Sequence, residues 1–315
     1  MHYSLNSRFR GAILGLAIGA RQQKFGSYKP QLSYRDANLE RSLEKQSFSF
    51  ESSEEIVTLL EAGIKSLIQR RQFDVEDWHH AVGNNSSLSA LQLIVATIPL
   101  ALFYHENEIK LRQNLQLAIA VVGQNDPEIR DIALAVGYAI ALSLQPKLHS
   151  AELISHTIDF VGNNQGTLTQ NLFKVKNFLE QNAGLETVVT NLERSGGPSS
   201  CFALAFYCYL STLEDFRLSL RRVVEKSPQP QLTCAITAAL SGAYNGLAGI
   251  PATLRQQLRC PSLGTGCVIM TTEEEMLRLS DALVAVWSGV YEQANQPTDL
   301  SQAAAIAAPR AIRMR

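Results

Sequence analysis

The chain has 315 residues and is nearly neutral, with 28 Lys plus Arg against 29 Asp plus Glu. Its hydrophobic content of 46% is enough for a large buried core, which excludes a disordered chain. The balanced charge excludes a protein that binds nucleic acid through a strongly basic surface. Charged residues make up only 18% of the sequence, so oligomerisation stays open without being required.

The N-terminal half predicts helices separated by one long loop. An apolar run at 12–20 is too short and too rich in glycine for an export signal. Residues 21–50 mix charges, tyrosines and glycines without a period, which indicates a loop. Apolar residues from Ile56 to Ile68 then repeat at the spacing of an amphipathic helix. Ser52 and Glu55 fit a capping box at its start.

Further helices are marked by their first residues. Asp74 is a predicted cap, Asp126-Pro127-Glu128 combines a cap with a first-turn proline and acid, and Thr272 precedes three glutamates. The stretches 132–144 and 232–244 are apolar all round and rich in alanine, which favours close packing between helices. No stretch shows the alternation of a β-strand. The sequence predicts a single compact all-α domain over residues 1–292 and an Ala-rich, Arg-ended tail over 293–315.

Three uncharged stretches, 78–105, 196–213 and 227–254, have the length of a membrane span. Serines, threonines, a proline and amides interrupt them, so we interpret them as core helices rather than membrane spans. The five cysteines include no closely spaced pair, which indicates free thiols and a cytoplasmic protein. His79 and His80 are neighbours on a helix and point about 100° apart, which disfavours a shared metal.

Four stretches, in order, resemble motifs of one family. Arg8 to Gly19 follows R-x-x-G-x-x-x-G-x-A-x-G, and Pro99 to Tyr104 looks like A-P-L-G-L-x-Y. Asp126-Pro127 followed by Asp131 is similar to T-H-x-D-P-x-x-x-D. The most specific stretch is Ala235 to Pro251, which is close to A-I-A-G-A-L-A-G-A-Y-x-G-x-x-x-I-P. Together they resemble the ADP-ribosylglycohydrolase family over about residues 8–255.

The resemblance implies an all-α hydrolase that cleaves N-glycosidic bonds with two Mg²⁺ ions held by oxygen ligands near helix starts. This sequence departs from that pattern at the implied ligands. The Asp after the first glycine motif is Ala20, and T-D-D-T falls on Ser52-Ser53-Glu54-Glu55. D-T-D-T falls on Gln229-Pro230-Gln231-Leu232, and T-H falls on Gly123-Gln124. Most of the implied carboxylates are therefore replaced, and we expect no metal cofactor.

These departures predict a catalytically inactive member of the family that acts as a binding or scaffold protein. Its partner is expected to be a protein or an ADP-ribose-like nucleotide, without nucleic acid or membrane. Glu54 is the one candidate catalytic residue. The predicted cleft is lined by Ser52, Ser53, Asn84, Asn85, Gln124, Gln229 and Gln231.

Two alternatives stay open at this point. The first is an active hydrolase with an altered centre, in which Glu54 is the base and Asn84, Asn85 and Asp126 assist it. The second is an unrelated all-α scaffold or membrane-associated protein whose likeness to the family is accidental.

Overall fold

The computed structural model describes residues 3–22, 55–83, 89–122, 126–145, 150–163, 165–258 and 272–290. Every regular element within these ranges is a helix, which confirms the all-α prediction. The expected loop lies almost entirely outside the described residues, and so do the tail at 293–315 and its boundary. Those parts of the domain assignment stay predictions.

The helices are numbered in chain order. They are α1 (Leu5–Ala20), α2 (55–70), α3 (Val75–Trp78, continued by a π-helical turn His79–Gly83), α4 (Ala90–Ala96), α5 (Ile98–Phe103), α6 (Glu108–Val121), α7 (Pro127–Ser143), α8 (Ser150–Val161), α9 (Thr167–Glu180), α10 (Leu185–Glu193), α11 (Gly197–Ser211), α12 (Phe216–Lys226), α13 (Pro230–Asn245), α14 (Ala252–Gln256) and α15 (Glu273–Trp287). A short 3₁₀ turn, Leu247–Gly249, follows α13.

The predicted helix caps at Asp74, Asp126 and Thr272 are formed. The Asp74 side chain accepts a hydrogen bond from the backbone N–H of Asp77, and Asp126 accepts one from Glu128. Thr272 caps α15 in the same way. Each cap satisfies a backbone donor that the first turn of a helix otherwise leaves without a partner.

Helices α1 and α13 form the centre of the fold and approach each other along a stripe of small residues. A Cβ atom added at Gly15 would lie 2.4 Å from the carbonyl oxygen of Ala238. Gly11 meets Gly242 and Gly19 meets Cys234 in the same way, so the two helices run antiparallel. Because the backbones touch, every residue of α1 from Gly11 onward is buried.

A buried cation connects this pair to α7. Arg8 is only 4% exposed, and its Nη1 donates to the carbonyl oxygens of Ser143 (2.7 Å) and Gln145 (3.1 Å). These carbonyls lie at the negative end of the α7 dipole, which stabilises the guanidinium charge. The hydroxyl of Tyr209 lies 2.8 Å from the Ser143 hydroxyl and joins α11 to the same place.

The last described helix, α15, packs against the first half of α1. Arg10 donates two hydrogen bonds of 2.6 Å to the carboxylate of Asp281. His105 packs against two aromatic rings, with its ring centroid 5.5 Å from that of Phe9 and 4.9 Å from that of Trp287. Burial lowers the pKa of His105, so the ring is neutral at pH 7.

The helices of the long uncharged stretches belong to the core wherever the structure describes their burial. Helices α11 and α13 bury most of their residues against their neighbours, as the sequence predicted. Throughout the described ranges, no helix combines the length and the apolar character that crossing a bilayer requires.

The backbone contact between α1 and α13 predicts a large cost for one added methyl group. Gly15→Ala should lower the free energy of unfolding by at least about 2 kcal/mol, because the methyl meets a carbonyl that cannot rotate away. Urea denaturation followed by circular dichroism measures the change.

Gly184→Ala is the matched control, since no atom of the described residues lies within 4 Å of a Cβ added there. It should change the free energy of unfolding by less than about 1 kcal/mol. Equal effects of the two substitutions would contradict the close approach of α1 and α13.

The lowered pKa of His105 predicts a pH dependence of stability. The unfolded chain binds a proton to this residue below about pH 6.5, whereas the native protein resists it. The free energy of unfolding should therefore fall as the pH drops through that value. His105→Gln should reduce the fall, and exposed His156→Gln should leave it unchanged. A full pH dependence in His105→Gln would show that other groups cause it.

Candidate functional site

The antiparallel pairing of α1 and α13 brings together two of the segments that the family resemblance marks as ligand positions. The end of α1 lies beside the start of α13, because Gly19 contacts the carbonyl of Cys234. Ala20, the replaced Asp position, is fully buried there. Gln229 and Gln231, the other replaced positions, lie at and just after the N-cap of α13.

The side chains at this helix start carry no charge. Gln229 is the exposed N-cap residue of α13, and its side chain forms no capping hydrogen bond. Pro230 is the first helical residue, and Gln231 is half-buried. The dipole of a helix start favours anionic groups, so a neutral pair here forgoes that stabilisation.

A buried network of neutral groups lies directly beneath this turn. The hydroxyls of Ser227 and Thr233 lie 2.8 Å apart, and both side chains are almost fully buried. Thr233 also donates to the carbonyl of Gln229 at 2.8 Å, while the Gln229 N–H donates to Ser227 at 3.2 Å. The first turn of α13 is thus held by uncharged hydrogen bonds.

Cys201 of α11 borders the same network. Burial raises the pKa of its thiol, and the neighbouring Thr233 hydroxyl and Gln229 backbone offset part of that rise. A thiol held in its neutral form is a poor nucleophile. Cys201 also lines a cavity of about 320 Å³ together with Gly196, Gly197 and Pro228.

The start of α2 is held by a glutamine that sequence reasoning missed. The Nε2 of Gln92 donates to the carboxylate of Glu55 at 2.8 Å. Gln92 is itself fixed by a capping box with Ser89 at the start of α4. The Ser89-x-x-Gln92 spacing was the signal for that box. The predicted box of Ser52 with Glu55 lies partly outside the described residues.

The acids at the start of α7 have structural partners. Asp126 caps the helix, and Glu128 accepts hydrogen bonds from the backbone and hydroxyl of Ser199 at the start of α11. Asp131 is buried and accepts a hydrogen bond of 2.7 Å from Asn163. These contacts connect α7 to α11 and to the segment that follows α8.

Most of the predicted cleft is not placed by the structure. The residues outside the described ranges are Ser52, Ser53, Glu54, Asn84, Asn85 and Gln124. Within the described ranges, no three His, Cys, Asp or Glu side chains come together as a metal site would need. Because Glu54 is among the residues not described, the absence of a metal centre stays a prediction.

A groove beside the end of α1 was not predicted from the sequence. It has a volume of about 540 Å³ and runs between α12 and α14. The α12 side of the groove carries Arg217, Leu220, Arg221, Val224 and Glu225, and the opposite side carries Gln22, Thr253, Leu254 and Gln257. Its residues lie in helices far apart in the sequence, so no local pattern indicates it.

Comparisons with known proteins agree with this architecture. The family model described as ADP-ribosylglycohydrolase matches residues 29–293. The chain belongs to the ADP-ribosylglycohydrolase family. This membership rules out the alternative of an unrelated protein with an accidental likeness.

A solved structure described as an ADP-ribosylglycohydrolase-related protein complex has a similar fold. Its TM-score is 0.57, and the match covers 89% of this chain and 97% of that one at 17% sequence identity. At this identity the likeness concerns the fold alone. A search of curated proteins found no match.

The neutral network beneath α13 predicts a specific cost for removing one hydroxyl. Thr233→Val keeps the shape of the side chain but leaves the Ser227 hydroxyl without its buried partner. We expect it to lower the free energy of unfolding by about 1–2 kcal/mol. Thr190→Val, at an exposed position of α10, should change it by less than about 0.5 kcal/mol. Urea denaturation of both variants checks this, and an equal effect would show that the network contributes no stability.

Proposed function

We propose that this chain is a non-hydrolytic member of the ADP-ribosylglycohydrolase family that acts as a binding or scaffold protein. The observation that carries the proposal is the neutral start of α13 beside the end of α1. The resemblance implies carboxylates at three positions here, and the chain has Ala20, Gln229 and Gln231. Alanine offers no ligand atom, and an amide oxygen brings no charge.

The residues at these positions do not fit a pair of Mg²⁺ ions. Mg²⁺ gives up its water reluctantly and is held in proteins mainly by carboxylates. The neutral side chains at the start of α13 would not compensate the positive charge of two such ions. Glu54 is the one implied carboxylate position that keeps an acid. Glu55, which falls on the final Thr of that motif, has its carboxylate engaged by Gln92. We therefore expect no metal cofactor and derive no reaction step through one.

Without the metals, no group at this helix start would activate the glycosidic bond or the attacking water. A glycosidic bond needs a positioned acid or base, and nucleophilic water needs activation at neutral pH. Glu54 is the one residue proposed as a base. Asp126, which an altered centre would also use, has its carboxylate committed to the first turn of α7. Because this carboxylate already caps α7, it is less available as a catalytic group, which favours a binding role over catalysis.

The proposed setting is the cytoplasm. The described cysteines Cys201, Cys208 and Cys234 are free and buried, as suits a protein that stays in a reducing compartment. The proposed partner is a protein or an ADP-ribose-like nucleotide that occupies the predicted cleft.

A combined binding and turnover experiment tests the proposal. The full chain should release no ADP-ribose from substrates that carry it through an N-glycosidic bond above the buffer rate, with or without Mg²⁺. In calorimetric titration, any affinity for ADP-ribose should be the same in Mg²⁺ and in EDTA, because the neutral site holds no metal to bridge the ligand.

Turnover, or binding that strengthens with Mg²⁺, would contradict the proposal. An active family member serves as the positive control for the assay. If turnover is seen and Glu54→Gln abolishes it, the altered-centre hydrolase is the correct alternative. Absence of nucleotide binding in both conditions would leave a protein as the partner.

A further inference from the structure

The groove between α12 and α14 combines an apolar floor with a cationic wall. Leu220 and Val224 of α12, which are 3% and 7% exposed, form the floor together with Leu254 of α14. The volume of about 540 Å³ lies in the range of small-molecule sites, which is about 300–1,000 Å³. The groove can therefore hold a ligand with both an apolar body and a polar group.

The wall formed by α12 carries an excess of positive charge. Arg217 and Arg221 are four residues apart on one helix, so their like charges face the groove from the same side. Arg221 pairs with Glu225 at 2.9 Å, but both side chains are exposed and the pair is weak. Among the described residues, no carboxylate lies within 4 Å of Arg217.

The opposite wall is neutral and partly fixed. Gln22, just after α1, donates from Nε2 to the side-chain oxygen of Gln257 at 3.1 Å and to the carbonyl of Ile18 at 3.2 Å. Thr253 adds an exposed hydroxyl. None of these residues supplies a negative charge that would neutralise the arginines across the groove.

We propose that this groove binds a small phosphorylated molecule, with its phosphate on Arg217 and Arg221 and its apolar part on the floor. A guanidinium presents a planar fork of donors that matches phosphate oxygens, and two of them suit a dianion. The proposal goes beyond the function proposed above and does not depend on whether the start of α13 is hydrolytic.

The test uses 1-naphthyl phosphate as the probe and 1-naphthol as its uncharged counterpart. The full chain is titrated in EDTA, and binding is followed by calorimetry and probe fluorescence. We expect the phosphate ester to bind about tenfold tighter than the alcohol or better, since a charged hydrogen bond contributes that much. Its affinity should fall as the salt concentration rises.

Substitutions on the two walls locate the binding. Arg217→Gln should weaken binding of the ester about tenfold or more. Arg194→Gln, an exposed arginine outside the groove, should have no effect. Thr253→Glu places a negative charge opposite the arginines and should weaken binding, whereas Thr253→Gln, of similar size but neutral, should retain it.

Three results would overturn the proposal. They are the absence of binding, equal affinity for ester and alcohol, and an affinity that neither Arg217→Gln nor Thr253→Glu changes. Circular dichroism of each variant verifies that it is folded. Because the probe contains no ADP-ribose and the buffer contains no metal, failure here is distinct from failure of the proposed function.

Discussion

The backbone contact between α1 and α13 is the constraint on which the rest of the structure depends. Gly11, Gly15 and Gly19 repeat every four residues, and carbonyls at the same spacing on α13 meet them. Because the glycines leave no side chain on the α1 side of these contacts, the two backbones can approach closely in this antiparallel register. That register places the end of α1 beside the start of α13, while Arg8, nearer the other end of α1, reaches the end of α7.

The chain has this seam of small residues, but its side chains at the implied metal-ligand positions differ from those that the family resemblance implies. Packing between small residues contributes to stability whether or not charges are present nearby. The start of α13 is instead held by Ser227 and Thr233, whose hydroxyls bond to each other in the interior. A cluster of carboxylates would repel itself without metal ions, whereas Gln229 and Gln231 carry no such penalty. The fold can thus persist without the metal chemistry that the family resemblance implies.

Much of the fold could be predicted from the sequence because its signals are local. Asp126 and Pro127 marked the start of α7, and Thr272 marked α15. The contacts that assemble the site are different, since the hydrogen bond from Gln92 to Glu55 joins residues 37 positions apart. The groove between α12 and α14 depends on how distant helices pack. Glu273 is a second example. The sequence predicted that its charge favours the start of α15, but not that its side chain is buried and lies 3.5 Å from Arg255.

We propose that the family fold persists here with a neutral helix start that holds no metal pair. Titration of the full chain with Mn²⁺, followed by electron paramagnetic resonance, tests it most directly. The free Mn²⁺ signal should persist without stoichiometric loss, and the double variant Gln229→Asp/Gln231→Asp should gain Mn²⁺ binding because it restores two carboxylates. Binding of two Mn²⁺ ions per chain by the unaltered protein would contradict the claim.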